Sequence, residues 1–169
     1  MDYFDTLQVP VQIFLDEKLL RQQYLRLSRE VHPDFHTLKD EDSREQSLVS
    51  ATAITNAYTC LKDFDSRLQY ILKESGVLAV DEKSTLPPDF LMEMMDFNDA
   101  ILGADTDDAR AVLKEDLRKM EDALLGEVSP YLQSFDSGKR EMDVLQPIKD
   151  FYMKKRYLWR LQQQLNSRA

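Results

Sequence analysis

The two histidines of this chain, His32 and His36, bracket an aspartate, Asp34, and a proline, Pro33. Imidazole beside carboxylate is the raw material of acid–base catalysis, and two histidines four positions apart are a common start to a metal site. Neither chemistry is completed here. Pro33 prevents the regular helical turn that would bring His32 and His36 onto one face, and two imidazoles alone lack the ligand count of a metal centre. A hydrolase built on His32, Asp34 and His36 needs an enclosed pocket and a base within reach of substrate. A corner followed by the polar stretch Phe35–Asp42 offers neither. No nucleophile stands beside a base, and no glycine-rich loop is present to cradle phosphate. The sequence therefore predicts no catalytic residue, no metal, no cofactor and no enzyme. What the corner can do is touch another protein. Asp34, fixed by the rigid Pro33, can present its carboxylate for a two-pronged bond to an arginine, with His32 holding the corner's shape.

The elements around the corner must position it. Asp2–Val9 reads as a short helical segment with Tyr3, Phe4 and Leu7, stopped by Pro10. Asp16 has the character of an N-cap for a helix over Glu17–Val31. At 100° per residue, Leu20, Tyr24, Leu27 and Val31 fall within an arc of about 60° and form a core stripe. Lys18, Arg21, Arg26 and Arg29 fall in a separate arc of about 140° on the other side. Pro33 disfavours helix at His32, so the helix ends at the corner. A second long helix is expected from near Ser43, with Ile54, Ala57, Tyr58 and Leu61 as its stripe, antiparallel to the first. Ser66–Glu74 adds a shorter helix with Leu68, Ile71 and Leu72.

Gly76–Pro88 is the candidate boundary. It divides the chain into a first domain at 1–75, a linker at 76–88 and a second domain at 89–169. Three helices are expected in the second domain. The first, Asp89–Leu102, carries Leu91, Met94, Met95, Ile101 and Leu102. The second, Thr106–Phe135, carries Val112, Leu113, Leu117, Leu124 and Leu125, with Gly126 and Pro130 weakening or kinking its end. The third, Gly138–Leu165, carries Leu145, Ile148, Phe151, Tyr152, Leu158 and Leu161, its regular part starting near Pro147. The fold class is all-α.

Composition narrows the function. With 169 residues there is room for one domain or two small ones, and four glycines and six prolines favour long helices. The formal net charge of -9 argues against nucleic acid, which demands a dense basic footprint. No apolar run approaches the roughly 18 residues of a membrane span, and Met1–Pro10 has no leader pattern, so no membrane partner is expected. The single cysteine, Cys60, excludes an intramolecular disulfide and cannot hold an iron–sulfur cluster. A bacterial cytoplasmic location is expected.

A basic amphipathic helix, His32-Pro33-Asp34, a polar loop and an antiparallel helix leading into Asp65-Ser66-Arg67-Leu68-Gln69-Tyr70 together resemble the J domain of DnaJ-like co-chaperones over residues 1–75. The likeness extends to Tyr3 and Leu7, to Tyr24, Leu27 and Val31, and to Ile54, Ala57, Tyr58, Leu61, Arg67 and Tyr70. The resemblance implies a DnaK-type ATPase chaperone as partner, whose ATP hydrolysis the corner promotes. The implied contact residues are His32, Pro33 and Asp34, with Lys18, Arg21, Arg26 and Arg29 as a basic face that steers an acidic surface. The chain departs from many J domains in placing Phe35, and not lysine, directly after the aspartate.

A J domain followed by a short linker and a small helical bundle, with neither a glycine-rich region nor zinc-binding cysteine pairs, resembles the HscB family. Members are co-chaperones of iron–sulfur cluster assembly. The opening Met1-Asp2-Tyr3-Phe4 and the stretch Phe90-Leu91-Met92-Glu93 carry this likeness, which is looser beyond residue 104. By position it implies a surface for the IscU-type scaffold protein made of Leu91, Met92, Met95, Asp96 and Asp99, with Phe151 from the last helix. Gly103 stands where the family often has a further acid. Six apolar residues within Phe90–Phe97 exceed what one buried stripe needs, which independently predicts that some face outward. The implied protein is a non-enzymatic adaptor that stimulates a DnaK/HscA-type chaperone and delivers the scaffold to it. The alternative is a J-domain co-chaperone of a DnaK-type chaperone with a different client.

Overall fold

The computed structural model describes residues 2–31, 41–79 and 86–167. The corner residues His32, Pro33 and Asp34, with Phe35 after them, lie outside the described residues. Seven helices and no strand are found among those described: α1 Tyr3–Leu7, α2 Glu17–Glu30, α3 Glu41–Lys62, α4 Phe64–Glu74, α5 Pro88–Leu102, α6 Asp107–Asp136 and α7 Met142–Asn166. The chain divides into two compact units, Met1–Glu74 and Ser75–Ala169.

In the first unit, Asp2 caps α1 by accepting from the Phe4 N–H at 3.0 Å. Gln8 closes the helix in the left-handed region, at φ 55, and the turn leaves Phe4 and Leu7 fully buried. Asp16 caps α2 as expected, its Oδ1 accepting from the N–H groups of Lys18 and Leu19. The buried face of α2 is Leu20 and Leu27; Tyr24 and Val31 are only half-buried. Tyr24 stacks on Tyr58 of α3, with ring centroids 4.1 Å apart and planes 15° apart. Glu17 and Arg21, at the start of α2, share a groove with Tyr58, Lys62 and Asp63, at the end of α3. The two helices therefore run antiparallel. Ile54, Ala57 and Leu61 bury the inner face of α3.

The start of α4 is two residues earlier than the sequence suggests. The reason is Asp63, whose Oδ1 accepts from both the backbone N–H and the hydroxyl of Ser66, at 2.8 and 2.7 Å. A carboxylate there satisfies an orphan donor of the first turn and lies at the positive end of the helix dipole. Leu68, Ile71 and Leu72 are buried, each contributing about 1.5–3 kcal/mol.

In the second unit, Lys155 of α7 pairs with Glu121 of α6 at 3.2 Å, and Tyr131 of α6 shares a groove with Pro147 of α7. These pairings make α6 and α7 an antiparallel hairpin. α5 packs on both, with Phe90 edge-on to Tyr157 at 6.3 Å. α6 runs to Asp136, close to the expected end at Phe135, with Gly126 and Pro130 inside it. One expectation is corrected: α7 is regular from Met142, five residues before Pro147. Each proline removes one intrahelical bond. Burial of Val128, Leu132 and Phe135 on α6, and of Val144, Leu145 and Ile148 on α7, outweighs that loss.

Candidate functional site

The basic face of α2 is presented by the capped, regular helix just described. Lys18, Arg21, Arg26 and Arg29 are all exposed, but they are not equivalent. Arg26 is held: its Nη1 donates to Glu30 at 2.7 Å, its Nε to Gln23 at 3.0 Å, and its Nη2 to the side chain of Gln8 at 2.5 Å. Gln8 is the left-handed residue that ends α1, so Arg26 ties the face of α2 to the α1 turn. Lys18, Arg21 and Arg29 make no ion pair among the described residues. The charge offered outward is thus concentrated on three cations, with the fourth serving to orient the helix.

The second candidate surface is on α5. Phe90, Met94 and Ile101 are buried against the hairpin. The opposite side carries Leu91 (37% exposed), Met92 (67%), Met95 (64%) and Leu102 (48%). At 100° per residue, these four with Asp96 and Asp99 occupy an arc of about 140°. The two aspartates are exposed, and α5 carries no lysine or arginine. A mixed apolar and acidic face results, suited to a partner with apolar side chains ringed by cations. Leu91 and Met95 face outward. Leu102 belongs to the same surface, although the surface expected from the sequence leaves it out. The α-helical angle between neighbours places it and the buried Ile101 on different sides.

Phe151 does not join this exposed surface. It is 4% exposed, forming part of the wall of a groove of about 320 Å³ between α6 and α7, beside Leu124, Val128 and Tyr131. Its ring serves the hairpin core, because early α7 turns this face inward together with Val144 and Ile148. Lys154, one turn on, lies over the Phe90 ring at 5.6 Å.

Residues 2–70 match the family model described as the DnaJ domain, and residues 86–166 match that of the HSCB C-terminal oligomerisation domain. The co-chaperone protein HscB homolog of Aliivibrio salmonicida is 33% identical over 139 residues, covering 79% of this chain and 81% of that protein. The chain belongs to the HscB family of J-domain co-chaperones. Among solved structures, human co-chaperone protein HscB shares the fold with a TM-score of 0.80 at 24% identity, covering 99% of this chain and 81% of that one. Chaperone HscB from Vibrio cholerae gives a TM-score of 0.66 at 25% identity, over 99% of this chain and 96% of that one. The HscB C-terminal match begins at Leu86, just before α5, and so includes the whole mixed apolar and acidic face.

No group of three or more histidine, cysteine or acidic side chains is placed to hold a metal among the described residues. No described helix is long and apolar enough to cross a membrane.

Proposed function

We propose that this protein is a two-site adaptor of iron–sulfur cluster assembly in the bacterial cytoplasm. Its first unit stimulates ATP hydrolysis by a DnaK/HscA-type chaperone, through His32, Pro33 and Asp34 and the exposed cations Lys18, Arg21 and Arg29. Its second unit carries the IscU-type scaffold to that chaperone on Leu91, Met92, Met95, Asp96 and Asp99. Holding both partners on one chain raises the effective concentration of client at the chaperone. The domain organisation that goes with these roles is a J domain over 1–75, a linker over 76–88 and a client-binding bundle over 89–169.

The observation that supports this reading most is the outward face of α5, where four large apolar side chains stand exposed beside Asp96 and Asp99. A helix whose other side already fills the core has no folding reason to expose two methionines and two leucines together. Methionine also adapts its shape to a partner at little strain.

The test is a pair of variants read in two assays. Asp34→Asn abolishes ATPase stimulation and leaves calorimetric binding of the scaffold intact. Leu91→Ala combined with Met92→Ala does the reverse. Binding of the scaffold by neither the wild type nor the variants would remove the scaffold role and leave a J-domain co-chaperone with a different client.

A further inference from the structure

On the first unit, the stacked pair Tyr24–Tyr58 joins α2 to α3. Arg21 lies one turn before Tyr24, and Lys62 lies one turn after Tyr58. Because the helices are antiparallel, both cations stand on the same end of the stack. The lining of the groove there bears this out: Glu17, Leu20, Arg21, Tyr58, Lys62 and Asp63 enclose about 420 Å³. Lys62 Nζ is 5.9 Å from the centroid of the Tyr58 ring. Arg21 and Lys62 are exposed, and neither makes an ion pair among the described residues.

The two acids of the groove are engaged differently. Asp63 spends Oδ1 on the backbone and hydroxyl of Ser66, capping α4. Glu17 occupies the first turn of α2, where its charge is held by the positive end of the helix. Two cations, Lys62 over the Tyr58 ring and Arg21 beside it in the groove, are left to act outward. Guanidinium takes a carboxylate in a two-pronged bond, and an ammonium one helix away takes its neighbour or its second oxygen.

We propose that this groove is a carboxylate-binding site on the first unit, in which Lys62 of α3 and Arg21 of α2 clasp an acidic segment of the partner ATPase chaperone. The inference rests on the chaperone-binding role proposed above, and it adds α3 to a contact otherwise assigned to α2 and the corner. Charge complementarity selects the occupant: with Asp63 and Glu17 each engaged at a helix start, the exposed Arg21 and Lys62 are matched to an acidic protein surface.

The experiment titrates the full chain into a DnaK-type chaperone and follows ATP hydrolysis, comparing wild type, Lys62→Gln, Lys62→Glu and Asp34→Asn. Far-ultraviolet circular dichroism and the thermal midpoint check that each variant is folded. Lys62→Glu raises the half-saturating concentration about five- to tenfold at low ionic strength, and Lys62→Gln raises it less. The gap from wild type narrows as salt is raised to about 0.5 M, because the pairing is exposed and screened. Unchanged half-saturation in both Lys62 variants, with stimulation lost in Asp34→Asn, overturns the groove while leaving the chaperone role in place. A shift that ignores salt overturns it also, since a packing defect would behave so. Stimulation by Asp34→Asn equal to wild type overturns the chaperone role itself.

Discussion

The buried guanidinium of Arg67 donates from Nε to the carbonyl oxygen of Ile13, 54 positions earlier, at 2.9 Å. A second donor, Nη1, goes to the carbonyl of Leu61 at the end of α3. Arg67 is 5% exposed and stands 5.9 Å from the centroid of the Phe64 ring. One side chain on α4 thereby fastens the segment that leads into α2 to the end of α3, setting the two helices that carry the basic face.

Arg67→Leu leaves two buried carbonyls without their donor, and is expected to cost about 2–4 kcal/mol. Arg67→Lys recovers little, since a single ammonium cannot reproduce the fork. Urea denaturation followed by circular dichroism measures this. A loss below about 0.5 kcal/mol would mean the carbonyls find other donors.

Tyr70 closes the first unit from the other side. Its hydroxyl oxygen accepts from the Tyr3 N–H at 2.9 Å, it donates to Asp2 at 3.3 Å, and its ring stacks on Tyr3. Burial pushes its phenol up to about 12, with Asp2 and Glu74 adding to the rise and the Tyr3 N–H opposing it. A phenol whose pKa is raised on folding stabilises the fold fully below its unfolded value, near 10, and loses that contribution as pH climbs toward 12. Spectrophotometric titration should show one of the seven tyrosines ionising late, and Tyr70→Phe should remove that phase.

Phe151→Ala and Met92→Ala are expected to separate cleanly. Phe151 is buried, and its truncation costs about 3–5 kcal/mol, lowering the melting temperature of the second unit. Met92 is 67% exposed, and its truncation stays within about 0.5 kcal/mol. Calorimetric melting distinguishes them. Equal melting temperatures would place Phe151 outside the hairpin core.

Cys60 is half-buried, and its thiol donates to the Ser66 carbonyl at 3.6 Å. Burial pushes the thiol up from its ordinary value, with Asp63 adding to the rise. Alkylation at mildly alkaline pH is therefore expected to be slower than for an unfolded thiol, with the rate restored in urea. Equal rates in the two conditions would show the thiolate to be freely formed in the fold.

Much of this molecule was legible from residue order alone because it is helical, and helical signals are local. Asp16 and Thr106 cap helices where the sequence puts a side-chain acceptor before an amphipathic run. The start of α7 slipped because burial of Val144 and Leu145 overrides the local preference set by Pro147. The surface of α5 was half legible: an excess of apolar residues says that some face outward, but not which. The expected surface left out Leu102, and positional likeness placed Phe151 in it.

By itself, the sequence determined the class of fold, the two-part organisation and the residues with a cationic or acidic charge to offer. These depend on composition, on caps and on the 3.6-residue period, all properties of short stretches. The tertiary structure alone decided that Arg26 is bound to Gln8 and Glu30, that Arg67 reaches back to Ile13, and that Arg21 and Lys62 share one groove. Each joins residues far apart in the chain or chooses among equivalent cations, and only the packing of one helix on another brings such groups within reach.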